Sequence, residues 1–360
     1  MAFLNNTTQN EFIGDTSETE SRVLVVIYIL IGLCGLLGNI LVIYVILKSP
    51  KMRTVTNMYI FNLAISDLIF LLHIAMITTT TIVKHWVFGE VLCKIFFTTL
   101  AITSFSSVLT LTSLSVDRYI AVCKPDLSQK HRQPLKAVFL IVVIWTLSLL
   151  LSMPIILFSR RTPHPFLEGK FSCYVDWDVK AVPIYVIYIF VLGFAVPLCF
   201  ISTFYTCIIV HVKRAGPANR KKSKEQRKNH RKVTFLVFAI ILSYVICWLP
   251  YWIFQIVLVV MSLYNIVTIV ILHICTVLTF VNSMINPFLY AFISNDFRYR
   301  FKEVFKFQCT SSEQGSKASA VALDSLRRHA SNPTEEVINS VRHDKPLIDN
   351  KDSEGIYTGP

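Results

Sequence analysis

Charge is scarce in this sequence: Asp, Glu, Lys and Arg make up 16% of its 360 residues, against about 25% in a soluble globular chain. That deficit excludes a chain whose whole surface faces water and makes lipid its main solvent. Other absences narrow the class. No H-E-x-x-H motif occurs, which removes the metalloprotease chemistry it carries. The last long apolar run holds no lysine, so a retinal Schiff base has no amine there. No repeat of 20–50 residues is visible, against a solenoid. Neither internal symmetry nor a pair of broken helices marks a seven-helix transporter. The N-terminus has no apolar h-region, so the first apolar span must serve as the targeting segment.

What is present is apolar: 54% of residues are hydrophobic, and the net charge is +13. Basic residues on a water-soluble domain would point to nucleic acid; here they fall in the gaps between apolar runs, so no nucleic-acid partner is expected. Those runs lie at about 23–47, 57–83, 91–123, 136–158, 182–212, 233–260 and 266–291. Each has the roughly 20 residues that cross a bilayer. Proline within them (Pro154, Pro197, Pro250, Pro287) is tolerated because neighbouring helices satisfy the freed carbonyls. The expectation is an all-α membrane protein, a seven-transmembrane helix bundle with a short amphipathic cytoplasmic helix. Its parts are a tail (1–22), the bundle (23–294), the amphipathic helix (295–308) and a disordered tail (309–360).

The gaps set the orientation. Lys48, Lys51 and Arg53 follow span 1, and Lys124, Lys130, Arg132 and Lys136 follow span 3. The gap after span 5 holds ten Lys or Arg against one Glu, while the gap after span 6 has no charge. The positive-inside rule puts these odd gaps and the C-terminus in the cytoplasm and the N-terminus outside, as in a multi-pass plasma-membrane protein. The outer tail is acidic and carries overlapping N-x-[ST] glycosylation acceptors at Asn5 and Asn6.

Of nine cysteines, only Cys93 and Cys173 fall on the expected outer side. Oxidising surroundings make a disulfide between them the economical reading; the other is two buried thiols. At the opposite end, residues 295–308 place Phe297, Phe301, Val304, Phe305 and Gln308 at helical spacing with basic residues between. This is an amphipathic helix for the lipid surface. Cys309 at its end is either a palmitoylation site or a free thiol. Residues 310–360 are Ser-, Asp- and Lys-rich, with few aromatics, and read as disordered.

Ionisable residues inside spans mark function. Asp67 lies in the middle of span 2, in "NLAISDLIF". Its expected company is Asn39, Ser107, Asn282, Ser283 and Asn286; Asn282 and Asn286 share a face at i, i+4. This set either holds a small hard cation such as Na⁺, with Asp67 and Ser107 among its oxygen ligands, or is a hydrated polar cluster. No other cofactor is expected. Asp117 and Arg118 stand side by side at the end of span 3.

Taken in order, "GN" at Gly38–Asn39, "NLAISD" ending at Asp67, "DRY" at 117–119, Trp145, Pro197, "CWLP" at 247–250 and "NPFLY" at 286–290 resemble the rhodopsin-like G-protein-coupled receptors. The likeness covers residues 23–309. It implies that Asp117 holds Arg118 at rest, and that Arg118 engages a heterotrimeric G protein after helix 6 moves. Tyr119, Tyr205 and Tyr290 are implied at the same face. Trp248, Pro250, Asn286 and Pro287 are implied as the activation switch. Arg suits the role because it stays charged and can exchange partners. Arrestin and a receptor kinase are implied at the C-terminal tail, and no enzymatic activity is.

"KMRTVTNMYIFNLAISD", "KSKEQRKNHRKVT", "CWLPYWIFQ" and "NPFLYAFISNDFRYRF" resemble the somatostatin/opioid-type peptide receptors, and within them most of all the insect allatostatin-C receptors. The implied ligand is an extracellular, disulfide-cyclised peptide, and the implied transducer inhibitory Gi/Go. A chemokine-like ligand is the alternative, but the N-terminal tail lacks the cysteine such receptors carry. One departure matters. Seven residues after Cys93 those relatives carry an Asp that pairs with a ligand cation, and this chain has Leu100. Helix 6 also opens with His230, Arg231 and Lys232, offering Arg118 no acid. The expected ligand pocket includes Leu100, Ser104, Gln255, Thr276 and Phe280, with Trp248 as floor. Gln255 either bonds the ligand or turns to loop backbone. Asp176 and Asp178 either meet a basic peptide or are solvated. His73 and His273 read better as buried neutral imidazoles than as pocket residues.

Overall fold

The structure, a computed structural model, describes residues 18–164, 168–178, 180–214, 224–261 and 266–304. The chain forms two units, Met1–Phe301 and Lys302–Pro360. Of the second, only residues 302–304 are described, and they are helical. The first unit holds helices α1 (Glu18–Lys48), α2 (Val55–Val83), α3 (Gly89–Cys123), α4 (Pro134–Leu151), α5 (Val182–Arg214), α6 (Lys224–Met261) and α7 (Ile266–Ile293). Among the described residues these seven are long and apolar enough to cross a membrane. After a break at Ser294, residues 295–301 are helical again.

The helices form because their backbones have no other partner in hydrocarbon. Their sides are sorted by packing. In α1, Tyr28, Ile31, Gly35, Asn39 and Val42 are buried at three- and four-residue spacing, while Leu30, Leu33 and Leu37 stand exposed on the opposite side. Such exposure would be costly in water and costs little against lipid tails. Thr54 caps α2, its hydroxyl accepting from Asn57 N at 3.3 Å. Pro134 starts α4, where its missing N–H is not needed.

Span 4, expected as one helix over 136–158, breaks at Ser152 into α4 and a short helix Met153–Phe158. Pro154 lies in the first turn of that second piece, where proline is tolerated. A two-stranded antiparallel hairpin follows, unforeseen in the sequence: β1 (Ser159–Pro163) and β2 (Phe171–Val175), with Arg161 opposite Cys173. The Cys93–Cys173 disulfide ties β2 to the start of α3. Trp86 N donates to Phe171 O at 2.8 Å, and Arg161 N donates to Glu90 Oε2 at 2.7 Å. Trp177 is sandwiched between Phe158 and Tyr185, each ring centroid 4.4 Å away.

Two membrane prolines show how an interrupted helix is repaired. Proline has no N–H for the carbonyl four residues earlier. Pro287 thereby frees Ser283 O, and Asn39 Nδ2 of α1 donates to it at 3.0 Å. Pro197 frees Gly193 O, within a wider π-turn at Val191–Ala195; Tyr244 of α6 donates its hydroxyl there at 3.1 Å. α1 approaches both neighbours closely: a Cβ on Gly38 would lie 2.9 Å from Pro287 of α7, and one on Gly35 2.6 Å from Leu71 of α2. Tyr28, Ile31, Phe70, Leu71, Ile74 and Phe280 form a buried cluster of α1, α2 and α7, against which Leu100 and Trp248 pack.

Candidate functional site

Polar side chains gather at three levels of the bundle. At the end opposite the disulfide, α3 ends in the Asp117–Arg118 pair. Both are buried, Arg118 at 3% exposure and Asp117 at 6%. A buried carboxylate needs several donors to be tolerable, and Asp117 has them. Arg118 donates to Oδ2, and so does the Thr56 hydroxyl of α2, at 3.0 Å. Arg132, from the loop after α3, places Nε 2.7 Å from Oδ1. The sequence had suggested Asp117 as the single partner of Arg118; the structure adds Thr56, which touches both, and gives Asp117 a second guanidinium. Arg132 was read only as loop charge, and no local pattern could have placed it here.

Nearby, Tyr205 of α5 donates to Thr234 O of α6 at 3.4 Å. Tyr119 packs on Phe204 with centroids 5.5 Å apart. Tyr290 of α7 is fully buried and stacks on Phe297 at 5.5 Å. Phe301 is also buried, its ring 5.9 Å from Phe297. Phe305, Gln308 and Cys309, like Asn5 and Asn6, fall outside the described residues.

At mid-bundle, Asp67 is 1% exposed. Ser283 Oγ donates to its Oδ1 and Asn286 Nδ2 to its Oδ2, both at 2.7 Å. Asn39 joins indirectly, through Ser283 O. Asn282 is buried without a hydrogen bond to Asp67. Ser107 makes no bond to Asp67 either; its neighbour Ser106 meets Ser66 at 3.0 Å. One residue along a helix turns the side chain by about 100°, so adjacent serines serve different faces. Among the described residues, Oδ1 of Asn39, Asn282 and Asn286 and the Tyr290 hydroxyl are buried with no partner. Unsatisfied amide oxygens together with a carboxylate are the oxygen ligand types that a hard cation takes. Beside this cluster, Trp145 Nε1 donates to Asn62 Oδ1, and Asn62 Nδ2 to Thr110, each at 2.8 Å, linking α4, α2 and α3.

Toward the disulfide end lie the expected pocket residues. Ser104 Oγ donates to Leu100 O and Thr276 Oγ1 to Leu272 O, both at 2.8 Å, so both hydroxyl protons are committed within their own helices. Phe280 is closed into the core, its ring 4.6 Å from Phe70 and 5.7 Å from Tyr28. Gln255, half-buried, reaches the Tyr251 hydroxyl. Trp248 packs against Phe70 at 6.0 Å and Tyr244 at 5.8 Å, and Pro250 interrupts α6 beside it. His73 has oxygens at both ring nitrogens: Phe70 O at 3.0 Å, and Thr99 Oγ1 at 2.8 Å. On the hairpin, Arg160 pairs with Asp176 at 3.3 Å. The Arg161 guanidinium lies 3.2 Å from the Phe171 ring centre. Burial, with His85 and Lys170 nearby, holds the His164 imidazole below its ordinary pKa.

Residues 38–290 match the family described as 7 transmembrane receptor (rhodopsin family). The chain is 35% identical over 324 residues to a mouse (Mus musculus) protein named somatostatin receptor type 2, covering 89% of this chain and 87% of that one. It is 37% identical over 300 residues to the rat (Rattus norvegicus) somatostatin receptor type 4, covering 83% and 76%. Against the bovine (Bos taurus) somatostatin receptor type 5 it is 36% identical over 304 residues, covering 81% and 78%.

Proposed function

The chain belongs to the rhodopsin family of seven-transmembrane receptors, and from that premise we propose that it is a receptor for an allatostatin-C-like cyclic peptide signalling through inhibitory Gi/Go. The observation that carries the peptide class is the continuous likeness to somatostatin receptors, at 35–37% identity over 300 residues or more. Leu100, packed against the aromatic core, supports a departure from ligands anchored by an ammonium, since no carboxylate waits for one at that position. The disulfide end is the extracellular face in this reading, and the Arg118 end is cytoplasmic.

Activation in this reading is an exchange of partners. Arg118 leaves Asp117 and Thr56 when α6 moves away from α5, and the exposed face takes the G protein. Trp248 transmits ligand contact to the Pro250 bend. Na⁺, held by Asp67 with the amide oxygens of Asn39, Asn282 and Asn286, would supply a positive charge that favours the resting arrangement. Support for this is the unpartnered amide oxygens described above. The cytoplasmic tail would meet arrestin and a receptor kinase, with Cys309 acylated and Asn5 or Asn6 glycosylated.

A panel of cyclic and linear neuropeptides, applied to transfected cells with cAMP as readout, tests the reading. Allatostatin-C is expected to lower stimulated cAMP, in a manner abolished by pertussis toxin. A receptor reaching the cell surface that answers only linear or amidated peptides, or only raises cAMP or calcium, would contradict it.

A further inference from the structure

Among the described residues, several buried amide oxygens, hydroxyls and side-chain nitrogens lack a hydrogen-bond partner. Around Asp67 the unpartnered amide atoms are acceptors: Oδ1 of Asn39, Asn282 and Asn286. Toward the disulfide end the unpartnered nitrogens are all donors: Nε of Arg161 and Nε1 of Trp177, Trp248 and Trp252. Two of these belong together. Trp248 and Trp252 are four apart in α6 and share a face. Their rings are stacked, with centroids 6.5 Å apart and planes 23° from parallel. Trp252 is only 7% exposed and sits 6.0 Å from Phe190 of α5.

An indole N–H can only donate, and a buried donor left unmade is expensive. Among the described residues neither the Trp248 nor the Trp252 Nε1 has an acceptor within hydrogen-bond reach. The Tyr244 hydroxyl gives its proton to Gly193 O and Tyr251 meets Gln255, and neither hydroxyl oxygen reaches an indole N–H. We propose that Trp248 and Trp252 form a paired N–H donor site that binds a neutral carbonyl oxygen of the peptide ligand. This rests on the peptide-receptor reading and deepens it. An ammonium would bring donors to donors. A carboxylate would be desolvated with no cation on this face of α6 to balance it. A backbone or side-chain amide carbonyl has the complementary lone pairs and no charge to strip of water. Leu100, which packs against the same core cluster as Trp248, brings no charge to this region.

The test uses the full-length receptor in lipid nanodiscs with ¹⁵N-indole tryptophan, whose five resonances are resolved by single Trp→Phe variants. Trp86 and Trp145 donate to Gly89 O and Asn62 Oδ1 at 2.8 Å and serve as bonded references. The probes are synthetic allatostatin-C and somatostatin. In peptide-free receptor the Trp248 and Trp252 N–H signals are expected upfield of the references, and peptide is expected to move both downfield. Trp252→Phe, which keeps the ring and loses the donor, is expected to bind peptide about five-fold more weakly. Signals already bonded without peptide and unmoved by it would mean a structural water is the partner, and would overturn the proposal. So would unchanged affinity in Trp252→Phe. If neither peptide binds the wild type, the peptide reading fails separately. The peptide-free wild-type spectrum then decides whether the donors are open, whatever the folding of any variant.

Discussion

Arg132 reaches back from the loop after α3 to set its Nε 2.7 Å from Oδ1 of Asp117, while Arg118 occupies Oδ2. One carboxylate thus serves two guanidiniums, and the two cations repel each other across it. Two unit charges about 4 Å apart at an effective dielectric of about 20 interact by about 4 kcal/mol, falling with distance and solvent screening. Arg132 therefore weakens the hold of Asp117 on Arg118. Arg132→Ala is expected to lower basal nucleotide exchange several-fold, and Arg132→Lys to change it less. A rise in basal exchange on removing Arg132 would show that it acts as a latch instead.

Arg118→Ala is expected to abolish peptide-driven G-protein activation while leaving peptide binding and surface expression largely intact. The residue is buried and, among the described residues, bonded to Asp117 and Thr56, far along α3 from Leu100. Robust nucleotide exchange by the variant would remove Arg118 from the coupling face.

Raising Na⁺ is expected to lower agonist affinity, because a cation favouring the resting state opposes a ligand favouring the other. Asp67→Asn is expected to erase that dependence. An equal sodium effect in wild type and variant, measured by peptide displacement, would refute the cation site.

Gly38→Ala places a methyl 2.9 Å from the Pro287 ring, and overpacking of this kind costs about 1–3 kcal/mol. The variant's Tm in detergent is expected to fall by several degrees. Tyr244→Phe, which strands Gly193 O, is expected to cost about 1 kcal/mol. Unchanged melting in Gly38→Ala would mean α1 and α7 sit further apart than described.

Leu100→Asp installs a carboxylate where the chain packs an alkyl group against the core cluster. It is expected to weaken the native peptide, through the desolvation of an unpaired charge, and to favour an analogue carrying lysine at the inserted position. Unchanged peptide potency at normal expression would mean that Leu100 does not face the ligand.

The bundle was legible because membrane spans are written locally. Expected runs of 57–83 and 91–123 correspond to Val55–Val83 and Gly89–Cys123, since about 20 apolar residues leave the backbone no choice but helix. Asp67, Ser283 and Asn286 were legible as company because polarity is so costly in hydrocarbon that such residues must find each other. What remained hidden was decided across sequence distance. Arg132 meets Asp117 through the fold of a loop. Asn39 and Tyr244 find carbonyls freed by prolines on other helices. Ser106 rather than Ser107 meets Ser66 because of helix rotation. Trp252 was passed over because a tryptophan in an apolar run looks like ordinary core until its N–H is found without a partner.

The most direct test of the account is nucleotide exchange on purified Gi or Go, catalysed by the receptor in lipid nanodiscs with synthetic allatostatin-C as the only added ligand. The account predicts saturable acceleration by the disulfide-cyclised peptide, lost in Arg118→Ala and lost when the peptide is reduced and alkylated. Exchange that is indifferent to the peptide, or equally fast with Arg118→Ala, would contradict it.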